Sequence, residues 1–351
     1  MTTGEAAGIG FPAIGLYYDF RNPTQWRRPW GTLYRSIIDQ VVRAEREFGI
    51  DSVWISEHHL AHDGYTPSPL TLAAAIAVRT EHVRIGTSIT ILPLQHPVRL
   101  AEDALTVHAL ASGRFRLGVG LGYRAVEFAG LGVPLAERRG RLEEGLHILR
   151  AAFDGRAVEH RGHHYDLGRI HVTPEPMGDR PELWVGGFAP AAIRRAAPLA
   201  DGMVLPIPEL WPLYVEECRR AGRSPRVAAG YHWIVAEDPE AELNRVAPHL
   251  LHQINDYGLH GAYGPADQFR PLVDEEELRR FGLYELLDAE GAARRIAEVA
   301  NLGYVEDVHW WTLFPGEPIE QAEHRLAYMA AEVLPRARLL AAGRGGGAVS
   351  S

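Results

Sequence analysis

The clearest indication of the fold is the segment VRIGTSITILPLQHPVRLAEDALTVHALASGRFRLGVG, Val83 to Gly120. Its two ends are apolar and rich in β-branched residues, which is typical of buried strands. Between them, Pro97 suits the first position of a helix and Gly113 suits its end, so the spacing predicts a helix over Val98–Ala111. A strand, a helix and a second strand in this order predict a βαβ unit with parallel strands.

The same alternation runs along the chain, and we count eight βα units. The predicted strands are Ala13–Tyr18, Ser52–Ser56, Val83–Leu92, Arg114–Gly120, Glu182–Gly187, Gly202–Ile207, Val227–Val235 and Val305–Leu313. The helices predicted after them are Leu33–Phe48, Leu70–Arg79, Val98–Ala111, Leu135–Phe153, Ala191–Leu199, Leu210–Ala221, Glu240–Leu251 and Glu317–Val333, with a further helix near Ala289–Asn301. Eight units predict an α/β fold of the (β/α)8 TIM barrel type, because an open doubly wound sheet more often has about five or six strands.

Two stretches do not fit this repeat. Residues 155–181 are rich in Gly, Pro and His and predict a small hairpin, whereas residues 252–287 mix Gly, Pro, aromatic and charged residues. An insertion of this length after a barrel strand predicts a lid, the alternative being a surface excursion without function. We therefore expect one barrel domain over residues 1–340 with these two insertions, and a disordered tail over residues 341–351.

The composition excludes several classes of protein. The 36 basic residues are all arginine, and with 45 acidic residues they give a net charge of −9, which argues against nucleic acid or an anionic membrane as partner. Without lysine there is no Schiff base and no Walker-type phosphate loop. The single cysteine, Cys218, cannot form an internal disulfide. With no signal-peptide pattern at the N-terminus and no long apolar run, these features predict a cytoplasmic protein.

In a barrel of this type the active site lies where strands end and loops begin. Aromatic residues at three strand ends, Tyr17, Trp233 and Trp310, predict a wall that suits an apolar or aromatic substrate, although the Trp310-Trp311 pair could equally belong to the core. Glycines at strand ends would let a flat ligand approach the backbone. Further candidates at the ends of the third and fourth strands are Ser88, Ile89, Thr90 and Gly120.

The run Ser56-Glu57-His58-His59 places two imidazoles and a carboxyl group at the mouth of the barrel. Adjacent residues on a strand point to opposite sides, so at most one histidine faces the centre, and we assign this place to His58. An imidazole there can donate a hydrogen bond to a substrate or take its proton. The alternative is a structural histidine whose ring nitrogen atoms form hydrogen bonds with the backbone.

His59, His62 and Asp63 also raise the hypothesis of a metal site. A metal-dependent barrel hydrolase that uses His58, His62 and either His232 or His309 is an alternative of a different class. The spacing of His59, His62 and Asp63 matches neither H-E-x-x-H nor a paired H-x-H on one strand face. We therefore predict no metal.

The segment ELWVGGFAP, Glu182 to Pro190, reads as a strand that runs into a glycine turn and then a helix. Free backbone N–H groups and the helix dipole make such a turn a natural phosphate site, although glycines often serve turn geometry alone. The predicted phosphate contacts are Gly186, Gly187, Phe188 and Ala189. The run Gly118–Gly122 does not predict a dinucleotide site, because Tyr123 stands where the last glycine of G-x-G-x-x-G should be.

Several segments, in order, resemble the bacterial luciferase-like flavin-dependent monooxygenases. They are Glu57–His59, Arg84–Pro93, His96–Asp103, Ser112–Gly122, Trp184–Gly187 and Ala200–Gly202. The resemblance implies a (β/α)8 barrel with large insertions that binds FMN or, in one branch of the family, the deazaflavin coenzyme F420. It places the flavin ring against a bulge in the third strand, which commonly holds a non-proline cis peptide and falls at Ser88-Ile89 here.

The resemblance also implies roles for the other candidate residues. His58 corresponds to the substrate-facing histidine of the family, and Gly186 to Ala189 correspond to its phosphate turn, where relatives often have serine or threonine in place of Ala189. Luciferase itself has a reactive cysteine where this chain has Gly120, so light emission is not implied.

The function implied is that of a monooxygenase that uses reduced FMN and molecular oxygen to oxidise a small organic substrate. Because the chain has no nicotinamide fingerprint, a separate NAD(P)H-dependent flavin reductase is the expected partner, and a homo-oligomer is the expected assembly. An F420-dependent oxidoreductase and a non-catalytic flavin-binding protein are the alternatives within the resemblance.

Overall fold

The computed structural model describes residues 10–344 of the chain. Its strands are β1 (Ala13–Tyr18), β2 (Ser52–Ile55), β3 (Arg84–Thr87), β4 (Thr90–Ile91), β5 (Phe115–Gly120), β6 (Val158–Arg161), β7 (Asp166–Ile170), β8 (Glu182–Gly186), β9 (Gly202–Val204), β10 (Val227–Tyr231), β11 (Trp233–Val235), β12 (Glu285–Leu287) and β13 (Val305–Trp311). The parallel strands β1, β2, β3 with β4, β5, β8, β9, β10 and β13 form the barrel, which the pairing of β3 with β5 closes. The predicted (β/α)8 fold is confirmed.

Helices follow the strands around the outside of the barrel. They are α1 (Trp30–Phe48), α2 (Pro69–Ala77), α3 (Pro97–Leu110), α4 (Ala125–Gly130), α5 (Arg138–Phe153), α6 (Pro190–Leu199), α7 (Trp211–Arg220), α8 (Pro239–Leu259), α9 (Glu275–Phe281), α10 (Ala289–Ala300), α11 (Ile319–Tyr328) and α12 (Leu334–Arg344), with a π-helical turn at Met329–Val333. In α1 the residues Leu33, Ile37, Val41 and Ala44 are buried, and this helical spacing places them on one face against the barrel.

The predicted third strand, Val83–Leu92, is interrupted by a bulge. Gly86 pairs with Arg116 and Thr90 pairs with Val119, so four residue steps along this strand face three along β5. The extra residue lies at Ser88-Ile89, where the peptide bond is cis. The bulge therefore falls where the family resemblance places it.

The two insertions have different structures. Residues 155–181 contain the predicted hairpin, formed by the antiparallel strands β6 and β7. Residues 252–259 continue α8, and residues 285–287 form β12, which pairs with β11 outside the barrel sheet. Residues 341–344 of the predicted tail belong to α12, and residues 345–351 lie outside the described part of the chain.

Ion pairs lie at the N-terminal end of the barrel. Arg116 contacts Glu182 at 2.8 Å and also binds Glu306, to which Arg226 donates from Nε at 2.6 Å. The guanidinium groups of Arg116 and Arg226 lie 5.1 Å and 5.3 Å from the ring of Trp184. This end is therefore filled by paired charges, and the polar side chains left for a site lie at the opposite end. No helix within residues 10–344 combines the length and the apolar character needed to cross a membrane.

Candidate active site

His58 and Glu127 form a buried pair at the C-terminal end of the barrel. His58 follows β2, and Glu127 lies in α4 after β5. The Nδ1 atom of His58 lies 2.7 Å from Oε1 of Glu127. Because a carboxylate accepts hydrogen bonds, this contact assigns the ring proton to Nδ1 and leaves Nε2 as an acceptor.

The environment of His58 keeps its ring neutral. Burial lowers the pKa of His58 to about 4; the bond to Glu127 opposes this effect, and the positive charge of Arg124 adds to it. Three tyrosine rings stand nearly perpendicular to the imidazole, Tyr65 at 4.6 Å, Tyr123 at 5.5 Å and Tyr257 at 6.2 Å between centroids. At neutral pH the imidazole is therefore unprotonated, and its Nε2 atom is an acceptor of hydrogen bonds.

His59 has different surroundings. Its Nε2 atom lies 2.9 Å from Oε1 of Glu57, and its backbone N–H donates to Oε1 of Glu127 at 2.8 Å. Burial lowers the pKa of His59, but the hydrogen bond to Glu57 and the negative charges of Glu57 and Glu127 together outweigh burial, so the net shift of this pKa is upward. Both histidines therefore contact a carboxyl group, but the pKa of His58 is lowered among the tyrosine rings, whereas the pKa of His59 is raised.

Aromatic side chains line the centre of the mouth. Tyr17 contacts Trp311 at 4.1 Å between centroids, and His232 stacks on Trp311 at 4.6 Å with an angle of 23°. Burial lowers the pKa of His232 to about 4. Tyr17, predicted to contact substrate, therefore lies where the sequence analysis expects it.

The predicted positions of the Trp233 and Trp310 side chains in the wall of the mouth are wrong. The barrel strand ends at Tyr231, and the chain leaves the barrel so that Trp233 stacks on Tyr231 at 4.2 Å and donates from Nε1 to Glu285. Trp310 points outward on β13 into the core that the helices cover, while its neighbour Trp311 points inward. Both predicted wall residues are buried outside the mouth, and Trp311 and His232 hold the inner positions instead.

The bulge at Ser88-Ile89 lies beside Tyr17, whose hydroxyl group donates to the Ser88 carbonyl oxygen at 2.9 Å. The Ile89 side chain reaches towards two glycines, since a Cβ atom placed on Gly120 or Gly186 would lie 2.8 Å or 2.5 Å from it. The Oγ1 atom of Thr90 is buried and has no hydrogen-bond partner among the described residues. The predicted residues Ser88, Ile89, Thr90, Gly120 and Gly186 are thus brought together.

The glycine turn after β8 leads directly into α6. Ala189 is the N-cap residue and offers no side-chain hydrogen bond, and Pro190 begins the helix. Within residues 10–344 the N–H groups of Phe188 and Ala189 have no backbone acceptor, and the side chain of Phe188 is 70% exposed. A Cβ atom on Gly187 would lie 2.5 Å from that of Ala192, so the turn needs glycine there. Open donors at a helix N-terminus suit a phosphate group.

An ion-pair network that the sequence analysis does not predict joins the loops above the mouth. Arg21 contacts Asp63 at 2.6 Å and Asp256 at 3.0 Å, and Arg124 also contacts Asp256, at 2.7 Å. His252 contacts Asp63 at 2.8 Å. Asp256 and His252 lie on α8, so these pairs hold part of the 252–287 insertion against the loops after β1 and β2.

Two carboxyl groups in and beside this network have pKa values that are shifted in opposite directions. Burial raises the pKa of Asp19 to about 6, against the lowering effect of Arg21. Burial would also raise the pKa of Asp63, but the hydrogen bonds from His252 and Arg21 hold it well below its usual range. Asp63 is therefore a fixed negative charge, whereas Asp19 titrates near neutral pH.

The described residues contain no group of three or more His, Cys, Asp or Glu side chains arranged to hold a metal ion. Asp63 instead serves the ion-pair network, and His62 is exposed.

The sequence does not predict the roles of Glu127, Arg21 and Asp256, because the residues that they contact lie far along the chain. The one available signal is the position of Arg21, two residues after Asp19 at the end of β1.

Comparisons with known proteins find similar chains over most of this sequence. A model of the family described as luciferase-like monooxygenase matches residues 20–306. The chain is 30% identical over 324 residues to an F420-dependent glucose-6-phosphate dehydrogenase of Microbacterium testaceum, which covers 86% of this chain and 93% of that protein. It is 29% identical over 231 residues to the 4-hydroxyprotoasukamycin monooxygenase of Streptomyces nodosus, covering 60% of this chain and 62% of that protein. The chain spans about half the length of two further curated relatives from Sinorhizobium fredii.

A solved structure shares the fold. The oxygenating constituent of 3,6-diketocamphane monooxygenase from Pseudomonas putida, in complex with FMN, has a TM-score of 0.73 at 20% identity, covering 93% of this chain and 98% of that chain. At this level of identity the likeness concerns the fold alone.

Proposed function

Because this chain belongs to the luciferase-like monooxygenase family, we propose that it is a flavin-dependent monooxygenase. It uses reduced FMN, supplied by a separate reductase, and molecular oxygen to oxidise a small organic substrate. The observation that carries this proposal is the adjacency of the bulge and the open turn. Ile89 packs towards Gly120 and Gly186, and Gly186 begins the turn whose N–H groups are free.

These residues fit a flavin mononucleotide. The two glycines make room for the Ile89 side chain at the bulge, so a flat ring would rest against the surface that Ile89 forms rather than on the glycine backbone. The unpartnered hydroxyl group of Thr90 is a hydrogen-bonding group beside that surface. The turn at Phe188 and Ala189 offers backbone donors and a helix dipole for the phosphate, which compensates for the absence of lysine.

When bound, the reduced flavin supplies the electrons with which oxygen is activated. The residues of the chain position the substrate and exclude water. His58 accepts a proton at Nε2, since Glu127 holds the other ring nitrogen as a donor. The rings of Tyr65 and Tyr257, whose hydroxyl groups contact each other, cover this imidazole and shield it from solvent.

An F420-dependent oxidoreductase is the second candidate. It is supported by the relative from Microbacterium testaceum, whose match extends over most of both chains. The same turn and the same neutral His58 would serve a deazaflavin, so the two candidates differ in the need for oxygen.

The test is turnover with a separate flavin reductase, FMN, NADH and isotopically labelled oxygen, over a panel of aromatic and aliphatic compounds. The proposal predicts a product that carries one labelled oxygen atom, formed by the natural chain and not by a His58→Gln variant that still binds FMN. Oxygen-independent reduction or oxidation of a compound with F420, without labelled product, would contradict it.

A further inference from the structure

His232 is a second histidine at the mouth of the barrel, and it has no part in the chemistry assigned to His58. It follows β10, stacks on Trp311 at 4.6 Å between centroids, and stands edge-on to Tyr284 of the 252–287 insertion at 5.4 Å. We propose that the imidazole of His232 contacts the substrate and donates a hydrogen bond to an uncharged carbonyl or hydroxyl oxygen on it. This inference rests on the proposed function, because it takes the flavin ring to lie at the bulge.

The ring nitrogen atoms of His232 are open to a ligand. Within residues 10–344 neither Nδ1 nor Nε2 has a hydrogen-bond partner, and burial alone shifts the pKa of this ring. The residue is partly exposed, and neither nitrogen atom is shut off from solvent as the unpartnered Oγ1 of Thr90 is. The Nε2 atom of His58 is open in the same way, since Glu127 binds only Nδ1. The mouth therefore presents two histidines with free ring nitrogen atoms.

The strand order places His232 across the mouth from the bulge. The barrel runs β3, β2, β1, β13, β10, β9, β8 and β5 before it closes on β3, so β10 lies four strands from the bulged strand in either direction. The bulge at Ser88-Ile89 is the proposed place of the flavin ring. A side chain at the end of β10 therefore faces that ring from the far side of the mouth, where a substrate lying on the ring would meet it.

The surface beside His232 suits an apolar or aromatic body. Tyr17 donates to the Ser88 carbonyl oxygen at the bulge, and its ring contacts Trp311 at 4.1 Å between centroids. His232 lies on the same indole ring. These rings extend from the bulge to the free imidazole, and flat apolar molecules pack on such rings. A substrate with an apolar body and one polar group would therefore find its polar partner in His232.

The surroundings of His232 favour a partner without charge. Burial lowers the pKa of His232 to about 4, and no charged side chain within residues 10–344 contributes to this shift. The ring is therefore neutral at neutral pH and has one N–H donor and one acceptor nitrogen. A carboxylate or phosphate group would have to draw a proton onto a ring whose pKa burial holds low, among side chains that solvate charge poorly. A carbonyl or hydroxyl oxygen accepts from the imidazole and brings no charge.

The experiment is equilibrium dialysis of the full chain, without flavin, with three probes: acetylnaphthalene, naphthalene and naphthoate. We expect acetylnaphthalene to bind more tightly than naphthoate, and to bind at least about fivefold more tightly than naphthalene. His232→Phe keeps a ring against Trp311 and removes both nitrogen atoms. In this variant the ratio of the acetylnaphthalene and naphthalene affinities should fall by at least about fivefold, while naphthalene binds within about twofold of its affinity for the natural chain.

Two further variants separate a hydrogen bond from a change of packing. His232→Gln keeps an N–H donor and should retain part of the preference for acetylnaphthalene, and it also serves if the phenylalanine variant does not fold. His163→Phe makes the same change at an exposed histidine of the 155–181 hairpin. This matched control should leave the ratio of affinities as it is in the natural chain.

An unchanged ratio in the folded His232 variants would overturn the inference. So would naphthoate binding that equals or exceeds that of acetylnaphthalene, or the absence of binding by all three probes. Because the dialysis contains no flavin, its outcome is separate from that of the proposed function. A chain that shows the preference through His232 but does not bind FMN would contradict the monooxygenase and leave the His232 contact in place, and FMN binding without the preference would do the reverse.

Discussion

At the scale of single residues, the chemistry depends on which nitrogen of His58 carries the proton. Glu127 decides this, because its carboxyl group lies 2.7 Å from Nδ1 of His58 and accepts from it. The neighbouring pair of Glu57 and His59 has a similar length, 2.9 Å, but lies away from the tyrosine rings. The Glu57–His59 pair can therefore serve as a control for the Glu127–His58 pair.

We predict that Glu127→Gln lowers turnover by about 10- to 100-fold, since the amide can also present a donor to Nδ1 and favour the wrong tautomer. The readout is kcat against pH, in which the position of the proton-accepting limb should shift. Glu57→Gln is the matched control and should leave kcat within about twofold. Equal losses in both variants, or a loss that appears only in thermal stability, would show that Glu127 is structural.

The sequence predicts the place of His58 because it depends only on the end of a strand. It does not predict Glu127, which is 69 residues away. The assignment of Trp233 and Trp310 is wrong because each lies one residue from a position that faces the barrel interior. Trp233 is on the same outward side as Tyr231, on which it stacks, and Trp310 points to the opposite side from Trp311.

At the scale of elements, the 252–287 insertion is the segment most open to change. The sequence predicts it as one unit, but the helical pattern of α8 continues to Leu259 despite Pro248, so its first part is rigid helix. The rest of the insertion consists of a loop, the short helix α9 and β12. The ion pairs of His252 and Asp256 and the contact of Tyr257 with Tyr65 join this segment to the loops across the mouth.

We predict that residues 260–284 exchange backbone hydrogen faster without ligand than with reduced FMN and substrate, because a lid must open to admit both. Hydrogen exchange with mass spectrometry measures this. The hairpin of residues 158–170 is the internal control, and its exchange should not change. Equal protection of residues 260–284 in both states would show that the segment does not act as a lid.

The glycine turn gives a second prediction at this scale. Phe188→Pro removes one backbone N–H, so FMN affinity should fall by about 5- to 150-fold, equivalent to about 1–3 kcal/mol for a charge-assisted bond. Phe188→Ala keeps that donor and removes only an exposed ring, so its affinity should stay within about threefold. Calorimetric titration compares the two. Equal affinities in both folded variants would place the phosphate elsewhere.

At the scale of the whole molecule, the alternation of strands and helices is enough to predict the barrel. Each βα unit carries its own signals, such as Pro97 and Gly113 around α3, and eight parallel units close when β3 meets β5. The site is harder to predict, because it is assembled from loops whose mutual distances depend on that closure. The pairing of Arg21 with Asp256 has no local signal in the sequence.

Buried histidines predict how the stability of the molecule depends on pH. Burial lowers the pKa of His58 and of His232 to about 4, below the ordinary value of about 6.5. In this window the unfolded chain binds protons that the folded chain does not. The free energy of unfolding should therefore fall as the pH is lowered from about 6.5 towards 4, by about 1 kcal/mol per pH unit for each histidine.

Asp19 acts in the opposite direction. Burial raises its pKa to about 6, so its contribution favours the folded chain below about pH 4 and is lost as the pH rises through 6. Urea unfolding at about pH 7 and about pH 5 measures both effects. The His58→Gln/His232→Gln double variant should lose less stability on acidification than the natural chain, and Asp19→Asn should lose more. The same pH dependence in all three proteins would contradict these assignments.

Anaerobic calorimetric titration of the full chain with reduced FMN, oxidised FMN and reduced F420 measures whether the open turn and the bulge bind reduced FMN. We predict that reduced FMN binds most tightly, with one site per chain, and that Phe188→Pro weakens this binding. Tighter binding of F420 would contradict the choice of cofactor. Binding of neither cofactor would contradict the flavin site itself.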